Sequence, residues 1–438
     1  LGTPTILLPR YLLPVRPRGE VLTDHAVVIE GDEIAAIEPS GTALERYPHA
    51  NQVKLSSHVL LPGLFNMHTH SAMSLLRGYA DDLALDTWLN EYIWPAEQRW
   101  LSADFVRDGT ELAIAEMIRS GTTFFNEMYF FPDVIAETVT RTGLRGCVGL
   151  PIINVESAWG SDYEEYLRKA LDLHENQDFG DRVMTSLAPH AMYTVTDDLL
   201  VKIAEISERD EVPVHIHLLE VAGEVKHSIA EYGVRPLERL QALGLLNSRL
   251  IAVHMAHLTD SEIEMLARVG VNVVHCPESN LKLASGMCPL ASLIEGGVNV
   301  SVGTDGAASN NDLDILGELR TAALLAKGVA GDPCVVDAVT AIELVTINAA
   351  RALGVGDRLG SIEVGKLADF CALDLNWPET QPVHHHVASQ LVYSASNRQV
   401  SDVWVGGARL LNNGELTTLD LAEVLDKAGR WNQRMVLH

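Results

Sequence analysis

The chain has 438 residues, 47% of them apolar, enough to bury a large core and to build two or three domains. Its 59 acidic and 32 basic side chains leave a formal charge of −27, which repels phosphate backbones and anionic lipid. Polymeric nucleic acid and a membrane surface are therefore poor partners. The five cysteines (Cys147, Cys276, Cys288, Cys334, Cys371) form no C-x-x-C pair, no apolar run approaches about 18 residues, and the start shows no leader pattern. These features argue against a disulfide framework or membrane anchor and predict a cytoplasmic protein.

The first 60 residues read as short β segments, among them 26–30 and 33–37, separated by Gly, Asp and Pro turns. Eight apolar runs follow, at 60–70, 122–127, 146–152, 183–190, 212–219, 250–254, 271–276 and 298–305. Stretches such as 104–120, 197–210 and 261–269 carry apolar residues at helical spacing between them. This is the pattern of β-α units around a buried parallel sheet, and eight units over about 300 residues predict a (β/α)8 TIM barrel in preference to an open doubly wound sheet. Short β-rich runs return at 367–373 and 400–405. The expected organisation is a catalytic barrel over 61–365, with 1–60 and 366–438 pairing into a small composite β-sandwich domain.

His70, Glu127, His190, His217, His254, His275 and Asp305 all fall at the ends of predicted strands, where a parallel barrel gathers its catalytic loops. His68 and His70, two apart on one strand, point the same way and can share a metal ion. The chain has 17 histidines and two other H-x-H pairs, so context decides among them. His384 and His386 lie in a polar stretch with no strand leading in. Of His215 and His217, the latter is nearer the carboxyl end. Asp305 leaves a buried strand, where a carboxylate is costly unless paired or bound to a cation, although it could instead cap a helix. Three imidazoles and a carboxylate suit one divalent ion, Zn2+ by default, which lowers the pKa of water to about 7. Glu220, three residues past His217, is placed to act as general acid and base, and His254 to bond the attacking oxygen. His257 is expected in the next loop.

Five ordered motifs, Pro62-Gly-Leu-Phe-Asn-Met-His-Thr-His70, His217-Leu-Leu-Glu220, His254-Met-Ala-His257, His275-Cys-Pro-Glu-Ser-Asn280 and Gly303-Thr-Asp305, resemble the amidohydrolase superfamily. The likeness runs on through 346–354 and 360–369 towards the composite domain of that family. Within it the chain is similar to the 5′-methylthioadenosine and S-adenosylhomocysteine deaminases, with triazine hydrolases and guanine deaminases as relatives. The resemblance implies Trp88 as a stacking residue, Glu97 as a ligand of ribose hydroxyls, His190 on the ribose side, Glu220 at the base and Ser309 as a further substrate contact. It implies hydrolytic deamination of an adenine nucleoside at C6, with Asp305 taking the water proton, and a homodimer. Residues 154–167 hold Glu156, Asp162, Glu164 and Glu165 but no Arg or Lys, where relatives that bind the homocysteine tail well carry arginines. Methylthioadenosine is therefore favoured, with adenosine or adenosylhomocysteine as further substrates. The alternatives are a triazine- or guanine-type amidohydrolase and a metal-free structural homologue.

Overall fold

All eight apolar runs contain strands in the computed structural model, which describes residues 2–176, 179–384 and 386–436. In chain order the strands are Leu64–Thr69, Thr122–Met128, Arg145–Ile152, Val183–Pro189, Val214–Leu218, Leu250–His254, Asn272–His275 and Asn299–Val302. Each runs parallel to the next, in sequence order around one sheet. Helices cover one face and packed side chains fill the other, so these strands read as unbroken apolar runs. The helices carry their own stop and start signals. Ser102 caps Ala103–Arg119 by accepting from the Phe105 amide, and a Thr259/Glu262 capping box opens Asp260–Val269, which Gly270 closes at φ 78.

The first and last strands meet at Gly303. A Cβ there would lie 2.4 Å from the His68 nitrogen, so only glycine permits the approach. The Asp305 N–H then donates to the His68 carbonyl at 2.9 Å, bringing the two edges of the sheet together as a TIM barrel.

One expected strand is in fact two. The run at 60–70 is shared by Asn51–Pro62, which belongs to a second sheet, and Leu64–Thr69 of the barrel. Both halves are buried, so hydrophobicity does not change across the junction; Gly63 does, because a Cβ there would sit 2.0 Å from the Thr123 hydroxyl. The second sheet has nine strands drawn from both chain ends. Asn51–Pro62 pairs parallel with Thr5–Leu12 and antiparallel with Phe370–Asp374, placing Leu60 opposite Ala372. His25–Glu30, Glu33–Pro39 and Val400–Val405 complete its larger strands.

A buried ion pair fastens this sheet to the barrel: Arg145, at the start of the third barrel strand, donates to Asp369 at 2.8 Å with both side chains under 5% exposed. Removing one partner of such a pair costs about 3–5 kcal/mol. The last helix, Leu421–Val436, lies against Ala103–Arg119, with the Trp431 indole N–H on Asp108 at 2.8 Å and Lys427 on Glu111 at 2.8 Å. Among the described residues no helix is long and apolar enough to cross a membrane.

Candidate active site

The carboxyl ends of the barrel strands bring four ligand atoms to one point. The Nε2 atoms of His68 and His217 are 3.1 Å apart, and those of His217 and His70 are 3.3 Å apart. Asp305 Oδ1 lies 3.4 Å from His68 Nε2 and 3.2 Å from His70 Nε2. Four of the six separations among these atoms are thus 3.1–3.4 Å, the spacing of ligands held about 2 Å from a shared ion; His68 joins two ligand groups, one with His70 and Asp305 and one with His217 and His254.

The far sides of the rings fix which nitrogens are bare. His70 Nδ1 donates to the Met128 carbonyl at 2.5 Å and His217 Nδ1 to the His190 carbonyl at 2.9 Å, leaving both Nε2 lone pairs aimed into the cluster. His68 Nδ1 is held 3.0 Å from His215 Nε2, so His215 supports a ring of the cluster while His217 joins it. Lone pairs facing one another call for a shared cation. The electrostatics show a spot that attracts positive charge, which a proton on His70 Nε2 fills when no ion is bound: burial opposes a charge on His70, yet the Asp305 carboxylate outweighs it and pushes the imidazole up to about 9. Burial likewise opposes the Asp305 charge, but bonds to His68 and His70 hold that carboxyl well below the usual carboxylate range. The residues present fit a divalent metal ion. No helix follows Asp305, only a turn in which Gly306 N–H donates to Oδ1 at 2.8 Å, so the helix-cap alternative does not apply.

Glu220 enters the site through a bent strand end. Leu219 adopts φ 52, and the Glu220 amide is tied at 3.2 Å to Glu224, in the first turn of Ala222–Tyr232. Its carboxyl stands 3.8 Å from His254 Nε2, and burial pushes its pKa up. The His254 ring stacks on His217 with centroids 5.5 Å apart. His254, Met255 and Asp305 also have positive φ, at 75, 50 and 65. Each such non-glycine residue costs about 1–3 kcal/mol, strain that the barrel stores where side chains must be re-aimed.

These groups form one end of a cavity of about 800 Å³, whose lining also includes Trp88, Glu97, Tyr129, His190 and Tyr193. Glu97 sits on Trp94–Trp100, accepts from the Tyr129 hydroxyl at 2.7 Å, and is pushed up to about 7 by burial. His190 bonds Thr194 at 3.2 Å, and burial lowers it to about 3.

Several sequence candidates lie elsewhere. Ser309 does not line the cavity: its hydroxyl folds back to the Gly306 carbonyl and meets Ser279 at 3.1 Å, behind Asp305. His275 is buried outside the lining, and His384 and His386 are exposed. His257 donates to the Ser285 carbonyl at 2.7 Å, in a neighbouring loop.

Residues 59–410 match the amidohydrolase family. The chain belongs to that family. Among its relatives, a 5-methylthioadenosine/S-adenosylhomocysteine deaminase of Teredinibacter turnerae is 46% identical over 425 residues, 97% of this chain and 96% of that protein. A solved adenosine deaminase from Xanthomonas campestris with bound zinc is 49% identical, with a TM-score of 0.97 over 99% of each chain. An atrazine chlorohydrolase of Arthrobacter aurescens shares the fold at a TM-score of 0.90, but at 22% identity, over 98% of this chain and 99% of that one.

The site also brings in residues to which the sequence assigned no role, namely Tyr129, Ser279, Asn280 and Ser285, while His215, weighed there against His217 as a ligand, instead braces His68. Ser279 and Asn280 stand inside the His275–Asn280 motif, a signal that was present but without a role. Tyr129 and Ser285 act through contacts between distant segments and leave no local mark.

Proposed function

We propose that this amidohydrolase hydrolyses the 6-amino group from an adenine nucleoside, with 5′-methylthioadenosine as the preferred substrate and 5′-methylthioinosine and ammonia as products. One observation carries the reading: a cluster suited to a divalent cation, with Glu220 and His254 beside it, faces Glu97 across a single cavity. The donor set supports one divalent cation per chain on His68, His70, His217 and Asp305, with zinc as the first choice over iron or manganese.

When bound, that cation supplies Lewis acidity and brings the pKa of water down to about 7. The chain's own groups do the rest. Glu220, whose carboxyl burial pushes up from the usual carboxylate range, gives a proton to N1 of the adenine ring as water adds to C6. Asp305 accepts the proton that the water gives up, and His254 bonds the attacking oxygen. Asp305 passes its proton to the amino group, which leaves as ammonia, while the C6 hydroxyl gives its remaining proton to the Glu220 carboxylate and becomes the carbonyl. Trp88 offers a flat face beside the purine, while Glu97 and His190 take the ribose.

The 5′ substituent has a place of its own. Beyond Glu97 a second cavity of about 470 Å³ shares Trp94, Phe130 and Ile153 with the first and continues to Leu101, Val155 and Glu156. No lysine or arginine lines it among the described residues. A methylthio group suits those apolar walls, whereas the carboxylate of a homocysteine tail meets like charge. Ultraviolet monitoring of the purified protein with methylthioadenosine, adenosine, adenosylhomocysteine and guanine in parallel tests this. Turnover should be fastest with methylthioadenosine and absent with guanine. Turnover of guanine alone would defeat the substrate assignment while leaving metal-dependent hydrolysis standing.

A further inference from the structure

The stretch that follows the seventh barrel strand reaches three different parts of the site. Ser279 Oγ donates to Asp305 Oδ2 at 2.7 Å, Asn280 Oδ1 accepts from His254 Nδ1 at 2.9 Å, and Ser285 Oγ donates to Glu220 Oε1 at 3.3 Å. All three are buried, at 0%, 1% and 5% exposure. Their backbone is itself fixed. The Ser285 amide donates to the Asn280 carbonyl at 2.9 Å, and His257 holds the Ser285 carbonyl. Gly286, at φ 142, admits the His257 ring where a Cβ would come within 2.8 Å of Nε2. Lys282 ties the same stretch to Asp81 at 2.5 Å, in the segment that leads to Trp88.

We propose that Asn280 and Ser285 are positioning residues that hold His254 and Glu220 opposed to one another beside the metal cluster. The inference rests on the reading given under Proposed function. An imidazole whose Nδ1–H is spent on the Asn280 oxygen presents Nε2 as a bare acceptor, and Nε2 is the atom that faces Glu220 at 3.8 Å. The ring can then accept a hydrogen bond from the attacking water. Ser285 does the complementary task. By donating to one carboxyl oxygen of Glu220 it leaves the other for the proton that passes to the substrate. A left-handed backbone at His254 re-aims that side chain, and Asn280 supplies the contact that stops the ring from turning.

The test compares Asn280→Ala, Ser285→Ala and the double variant with the intact protein. Steady-state kinetics on methylthioadenosine are combined with metal content and nitrogen-15 spectra of the histidine rings, in which His254 is assigned by difference against His254→Gln. Each single variant should lower kcat about 10- to 100-fold, as a misplaced catalytic group does, with KM and metal content little changed. The double variant should lose less than the product of the two, because both act on one opposed pair. Asn280→Asp and Ser285→Thr, which keep the acceptor and the hydroxyl, should recover most of the rate. They also guard against a mere folding defect. The His254 ring should show an Nδ1–H form in the intact protein that is lost in Asn280→Ala. Unchanged kcat in both single variants, or an Nε2–H form in the intact protein, overturns the proposal. Should the intact protein deaminate no nucleoside, the functional reading fails, while the ring spectrum still decides whether Asn280 sets the His254 tautomer.

Discussion

The two ends of the cavity are built differently. At one end His68, His70, His217 and Asp305 stand on or just beyond barrel strands, cross-braced and buried except for a part-buried His70, with Asp305 re-aimed by a left-handed backbone. At the other, Trp88 and Glu97 stand on helices inserted between the first two strands, and Val155 and Glu156 on a loop exposed to solvent. On the proposed reading the first end, built on the barrel strands, governs which reaction occurs. On the same reading the second, a set of insertions, chooses which molecule undergoes it. In a barrel the two can vary separately, because the strands fix the chemistry while the loops supply the walls.

Substitutions should therefore separate the two ends, and the largest effect belongs to the cluster. His217→Ala or Asp305→Ala should abolish turnover of every substrate and lower the bound metal, read by elemental analysis. Retention of metal with full loss of activity would mean that the cluster is catalytic without being the ion's seat. Next comes Glu220→Gln, which should cost about 10²- to 10⁴-fold in kcat for all substrates alike while metal content holds. An effect confined to one nucleoside would move Glu220 to the substrate-choosing end.

Glu97→Gln should act through binding. A hydrogen bond to a charged group is worth about 1.5–3 kcal/mol, so kcat/KM for ribonucleosides should fall about 10- to 100-fold, and 2′-deoxy analogues should lose less. Because burial pushes Glu97 up to about 7, its carboxylate form dominates above that pH and its neutral form below. The carboxylate is the better acceptor for ribose hydroxyls, so kcat/KM should rise as pH climbs through about 7, and Glu97→Gln should flatten that limb. The smallest expected effect is that of Glu156→Arg at the exposed rim. It should raise kcat/KM for adenosylhomocysteine relative to methylthioadenosine by up to about fivefold, in keeping with a surface ion pair worth at most about 1 kcal/mol.

The same contrast explains what the amino-acid sequence revealed. Strand-borne residues were legible because a period of two and a position at the carboxyl end suffice to place His68, His70 and His217 on one side of a closed sheet. The boundary at Gly63 was not, since both sheets bury their strands and hydrophobicity alone cannot divide them. Ser309 stands four residues past Asp305, but a tight turn sends its hydroxyl away from the cavity. The braces Tyr129, Asn280 and Ser285 escaped notice because each acts across a long sequence separation, where no spacing rule applies, and His215 was seen only as the less favoured half of its pair.

The central claim is that four converging side chains hold a cation without which water does not attack the purine. Its most direct test is the rate of methylthioadenosine deamination by protein stripped with a chelator, then titrated with zinc. Activity should vanish on stripping and return in proportion to zinc, saturating at one equivalent per chain. Full turnover by the stripped protein would contradict the account.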